Sequence, residues 1–189
     1  MPNALAMVEL LVQSEKSEEI VLDALRSSVW VRMCGLMPSL EQLHRYLCWL
    51  RDGLRLAEQM LGSESIPPRI LFVSDPPPMF GWGPHFFSLM CVSGEIDALI
   101  IGMARIAYDA SVEDECSLVA HEHAGIANRI FAKANIMLMV LEECFHCYQV
   151  RVLHRPLSAS YNTTADRNDP LEVEWRAFRE AGGPCRRSL

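Results

Sequence analysis

Lysine is nearly missing from this chain: only Lys16 and Lys133 occur, and the remaining basic residues are arginines. The formal net charge is −7. So acidic a chain lacks the basic face that general nucleic-acid binding requires, and no nucleic-acid partner is expected. Long apolar runs are missing as well. None approaches the roughly 18–20 residues of a membrane-spanning helix, and the richest, Ile96 to Met103, is interrupted by Asp97 and Gly102. No membrane association is expected. The first residues, MPNALAMVELLVQSEKSEE, place nothing basic ahead of their apolar positions and do not read as a signal peptide. The seven cysteines form no repeated pair, so a disulfide framework is not expected. Free, mostly buried thiols and a cytoplasmic location are.

What is plentiful is hydrophobic: half of the 189 residues, enough to bury a substantial core. One domain is expected over 1–189, helical over 1–62 and built from a sheet and further helices over 69–181. Leu5, Val8, Leu11 and Val12, then Ile20 to Leu25, fall at helical spacing, with polar SEKSEE between them as a possible turn. Ser39 with Gln42 forms a capping box. After it, Leu40, Leu43, Leu47, Leu50, Leu54 and Ala57 make an apolar stripe that stops at Gly62.

Pro67 and Pro68 forbid helix, and RILFV (69–73) reads as a strand followed by a stiff Pro76–Pro78 loop. HFFSLMCV (85–92) and EIDALIIG (95–102) flank Ser93-Gly94, which predicts a hairpin. Over 108–127, Ser111 and Asp114 suggest a cap and Gly125 a stop. A long helix is expected from about 128 to 155, with Leu138, Leu141, Phe145, Tyr148 and Val152 as its buried face, closed by Pro156 after Arg151, His154 and Arg155. Asp169-Pro170 opens a last helix, 170–181, ended by Gly182-Gly183-Pro184. The class is α+β: N-terminal helices, a small sheet with one face covered by helices, a long helix and a short C-terminal helix.

The long helix carries Glu142, Glu143 and His146. Glu142 and His146 stand at i and i+4, on one face, where both side chains can reach one ion. Glu143, one step round, is placed to touch a water on that ion as general base. The competing reading is a solvated face of an ordinary amphipathic helix, since both glutamates fall opposite the expected apolar stripe.

The stretch LEECFHCYQ (141–149) resembles the H-E-x-x-H helix of zincin metallopeptidases, particularly compact gluzincin-like forms. Tyr148-Gln149 matches an aromatic-Gln pair that often ends that helix, and DPLEVEWRAF (169–178) matches a distal D-P-x-E-x-E-A helix. The resemblance covers about residues 69–181. It implies a zincin-like fold, Glu143 as the general base, and a divalent metal held by Glu142, His146 and Glu172. Glu174, two positions on, is the alternative third ligand; whichever faces away is expected in solvent or paired with an arginine such as Arg176. It also implies a peptide or protein as partner.

Two positions depart from the family pattern. Glu142 stands where the family has its first histidine, and Trp175 where a small residue is usual. Two carboxylates and one imidazole make a harder, more anionic site that holds zinc differently and suits manganese or iron better. They also polarise a bound water less. The expected protein is therefore a weakly active or catalytically silent zincin relative, with an active metal-dependent peptidase as the alternative. Cys144 and Cys147 read as packing residues, and His121 and His123 as parts of a surface loop. Tyr161, in the loop between the two motifs, is a candidate for oxyanion donation. A ferritin-like di-metal reading of Glu143-x-x-His146 is set aside: it needs a second such pair on another helix, which we do not read here, and has no place for a hairpin.

Overall fold

Serines at intervals start the N-terminal helices. A computed structural model describes residues 2–74, 85–117, 122–157 and 169–181, and of 112–117 and 122–131 the backbone only. Asn3 caps α1 (Ala4–Val12). Ser14 caps α2 (Glu15–Ser27), so SEKSEE is the start of a helix rather than a turn. Ser28 ends that helix and caps α3 (Val29–Cys34). Each serine hydroxyl accepts a backbone N–H that the first helical turn would otherwise leave unpaired. The capping box at Ser39 and Gln42 forms with both hydrogen bonds and launches α4 (Leu40–Leu61), which buries Leu43, Leu47, Leu50, Leu54 and Ala57 as expected. A single 3-10 turn, Ser63–Ser65, follows.

The sheet has three strands, β1 (Ile70–Val73), β2 (Phe87–Val92) and β3 (Glu95–Gly102), in the order β1-β3-β2. β2 and β3 form the expected hairpin, with Val92 opposite Glu95 across Ser93-Gly94. Both turn residues have positive φ, 54° and 82°, the conformation that matches the twist of a two-residue hairpin. β1 pairs with β3 in parallel. Leu89, Leu99 and Ile101 join the main helical core, whereas Ala98 and Ile100 pack on the opposite face with Phe86. Both faces of β3 are thus buried, not one.

After α5 (Met103–Ser117), α6 (Glu122–Arg151) runs through Gly125. One interior glycine costs about 1 kcal/mol, which a helix of this length absorbs. α6 stops before Pro156, where His154 takes φ 53° and Arg155 N–H donates to Gln149 O. His154 and Arg155 therefore lie beyond the helix. Its expected apolar face holds only at the centre: Leu141 and Phe145 are buried and Tyr148 partly so, Leu138 and Val152 are exposed, and Ile136, Val140, Cys144, His146, Cys147 and Gln149 are buried besides. α6 packs against α4, α5, the 3-10 turn, β2 and β3, so it has no single apolar side. α7 (Pro170–Glu180) begins with Asp169 at N-cap and proline in its first turn, as expected. The expected Pro76–Pro78 loop, the polar loop with Tyr161, and Gly182-Gly183-Pro184 lie outside the described residues. No helix among the described residues is long and apolar enough to cross a membrane.

The crossing of α4 and α6 depends on Gly53. A Cβ there would sit 3.0 Å from Val140 Cβ and 3.3 Å from Met137 Cα. Val140 is fully buried and cannot step aside. Gly53→Ala is expected to destabilise the fold by about 1–3 kcal/mol despite the better helix propensity of alanine. Denaturant unfolding checks this; an alanine variant as stable as the parent would show that the helices are free to separate.

Candidate metal centre

α6 and α7 are locked together by rings on one side and an amide on the other. Phe145 stacks on Phe178 at 4.6 Å between centroids and lies 5.5 Å from Trp175. Gln149, fully buried, donates from Nε2 to Leu171 O at 3.2 Å and to Glu174 Oε2 at 2.9 Å. Asp169 Oδ1 accepts from Leu171 N–H at 2.9 Å, which fixes the first turn of α7. Glu172 is in that turn, where the helix dipole favours a carboxylate.

This docking brings Glu142, His146 and Glu172 together: one ligand atom from each lies within 4.8 Å of the other two. The group is able to hold a metal ion. His146 is 1% exposed, and its Nδ1 is 2.8 Å from Gln149 Oε1. The Gln149 nitrogen is already donating, so its oxygen accepts and Nδ1 carries a proton. Nε2 is thereby turned toward Glu172 Oε1, at 3.4 Å. A histidine whose far nitrogen is held by a buried acceptor is the usual arrangement behind a metal-ligating imidazole. Glu174 is turned the other way: besides Gln149 it pairs with Arg155 at 2.9 Å, not with Arg176. Of the two distal glutamates, Glu172 faces the cluster.

The two α6 glutamates are not on a solvated face. Glu143 Oε2 is buried and has no hydrogen-bond partner among the described residues. The backbone N–H of Leu89 faces its carboxylate, near enough to hold its pKa down slightly though outside ideal hydrogen-bond geometry. The sheet register explains why that N–H is free. Gly102 N–H donates to Phe86 O, and Leu99 N–H goes to Arg69 O on the β1 side. Alternation along an antiparallel pair then leaves Leu89, opposite Leu99, pointing off the edge of the sheet. Glu143 sits beside the ligand set but is not one of its members.

Burial pushes Glu143 up to about 8, reinforced by the charges of Glu142 and Glu172 and opposed by His146. Burial raises Glu142 too, as does the Glu172 charge. For His146, burial acts downward, but the bond to Glu172, the Glu143 charge and Gln149 outweigh it and push it up to about 9. Glu143 and His146 thus retain protons that a nearby cation would displace.

Trp175 lies against the ligand group. It is buried, and its indole N–H faces the Glu142 carboxylate, close enough to lower that group's pKa though outside ideal hydrogen-bond geometry. Glu142 and Trp175 are therefore neighbours in space.

Gln149 entered the sequence reading only as half of an aromatic-Gln pair; its position one turn after His146 is the signal for its orienting role. Gln149→Leu is expected to weaken metal binding about 10- to 100-fold, the usual effect of losing an outer partner of a ligand. Competition with a chelating dye measures it. Unchanged affinity would mean that His146 is held by other contacts.

Cys144 and Cys147 are fully buried, as packing residues should be. His123 lies in α6 rather than in a loop, and His121 lies outside the described residues. The di-metal reading overlooked Glu41-x-x-His44, which repeats the E-x-x-H spacing. His44, however, is bonded to Glu18 and Cys48, and neither Glu41 nor His44 joins the ligand set. Comparison of the chain with family models, with curated proteins and with solved structures found no match.

Proposed function

We propose that this chain is a divalent-metal-binding domain on a zincin-like plan, with the ion held by Glu142, His146 and Glu172 and with hydrolysis weak or absent. The observation that carries this reading is the approach of three ligand atoms from two helices around an imidazole already oriented by Gln149. Two carboxylates to one imidazole suit zinc, and suit manganese or iron better than an all-histidine set does. The ion would polarise a bound water, less strongly here than with a second imidazole in place of Glu142.

Glu143 gives the active reading its support. It lies next to the ligand set, buried, with one oxygen unpartnered. In that reading it takes the proton of the attacking water. The Glu142 carboxylate, which makes the ligand group more anionic, favours the silent form. A peptide or protein remains the partner class for either form.

Glu142→His separates the two. It restores the residue that the resemblance expects at this position. On an intact zincin-like scaffold it should raise zinc affinity at least about tenfold, which is about 1.4 kcal/mol or more, and bring measurable peptide hydrolysis. Glu143→Gln in that background should remove the hydrolysis and leave zinc binding. Efficient turnover by the parent protein, lost in Glu143→Gln, would replace the silent reading with the active one. No gain in either property would remove the zincin-like plan.

A further inference from the structure

A second constellation lies on α2 and α4, built from residues that the metal centre does not use. Cys48 and His44 are one turn apart on α4 and share a face. Cys48 Sγ is 3.5 Å from His44 Nε2. His44 Nδ1 is 2.6 Å from Glu18 Oε1 on α2, a short bond of the kind a charged acceptor makes. The Glu18 side chain is 5% exposed and that of His44 48%. Cys48 is partly exposed.

We propose that Cys48 is a reactive thiol, served by His44 as general base and Glu18 as the residue that positions it, and that it forms mixed disulfides with small disulfide molecules. With Nδ1–H donated to Glu18, the lone pair of Nε2 is directed at the thiol, which fixes the tautomer a base requires. Nucleophile, base and carboxylate in this order form the arrangement that activates thiols and hydroxyls elsewhere. An ion-pair role for Glu18 and His44 explains their contact but leaves the thiol at Nε2 without a purpose.

The groups facing Cys48 are Arg51, Asp52, Glu18 and Lys133, two cations against two anions. Burial raises the thiol, so the group rests protonated and loses its proton during attack. In the step, His44 Nε2 takes the thiol proton as Sγ attacks one sulfur of the disulfide. A new S–S bond forms, the old one breaks, and the departing thiolate recovers the proton from the imidazolium. One disulfide is consumed and one formed, with no net oxidation.

The test treats the reduced full chain with oxidised glutathione and follows each cysteine by peptide mass mapping. Cys34 is the internal reference: it is exposed, with His85 Nε2 at the longer distance of 3.8 Å. Cys48 should be modified at least about tenfold faster than Cys34. His44→Gln should slow Cys48 by about 100-fold, the lower range for a positioned base, and leave Cys34 unchanged. Glu18→Gln should slow Cys48 by a smaller factor, with partial recovery in Glu18→Asp, which a purely structural carboxylate would not produce. A Cys48 no faster than Cys34, or a rate indifferent to His44→Gln in a variant with parental circular dichroism, overturns the proposal.

Discussion

His146→Ala should abolish metal binding. The loss in affinity should exceed the about 10- to 100-fold that removal of an outer partner such as Gln149 produces, because the only nitrogen ligand of the set goes with it. The same substitution leaves Glu142, Glu143 and Glu172 facing one another without the imidazole. Breaking a fully buried ion pair costs about 3–5 kcal/mol; here Glu172 is 32% exposed, so the metal-free variant should lose less than that. Metal titration and thermal unfolding read the two effects separately. Retained affinity in His146→Ala would show that the ion is held elsewhere.

The metal-free protein should become less stable as pH rises from about 6.5 to 8, and added metal should reverse the trend. His146 moves from 6.5 to about 9 on folding. Its contribution is complete below 6.5 and disappears as pH rises through 9. Glu143 moves from 4.5 to about 8, so the folded form keeps a proton that the unfolded chain has released across that interval. Stability falls there as well. Each retained proton contributes a slope of about 1.4 kcal/mol per pH unit, and the two windows overlap between 6.5 and 8. A bound cation takes the place of these protons, so its stabilising effect should be larger at pH 8 than at pH 6. Melting curves across this range, with and without zinc, decide it. A metal-free protein whose melting temperature rises with pH over the same interval would contradict the arrangement of charges described above.

Several features that depend on adjacent residues were legible, although the SEKSEE turn and the Gly125 stop gave way to continuous helix. Ser39 with Gln42, Ser93-Gly94 and Asp169-Pro170 each act within one turn of chain, and each formed the expected cap or hairpin. Features that depend on distant partners were not. The parallel pairing of β1 with β3 joins residues 70 and 99 with no local signal. α6 touches helices and strands on several sides, so its apolar periodicity is blurred and marks only part of the buried surface, Leu141 and Phe145. The competing reading, which left Glu142 and Glu143 on a solvated face, rested on that stripe, whereas α7 and the edge of β2 lie against them.

The ligand group itself was readable, since i and i+4 on a helix is a local relation and the distal motif supplied Glu172. The choice of Glu172 over Glu174 needed coordinates: Gln149 and Arg155 claim Glu174. The pairing of Trp175 with Glu142 was hidden for the same reason, because each residue alone reads as a defect in a motif. His44 and Cys48 share a helix face in the sequence, but Glu18 reaches them only through the packing of α2 on α4.

X-ray absorption on protein reconstituted with zinc at pH 8 addresses the metal centre most directly. It should show one ion per chain with oxygen and nitrogen neighbours and a single imidazole, and the imidazole signal should vanish in His146→Ala together with the bound metal. An ion surrounded by sulfur, or a chain that takes up no ion at any pH, would contradict it.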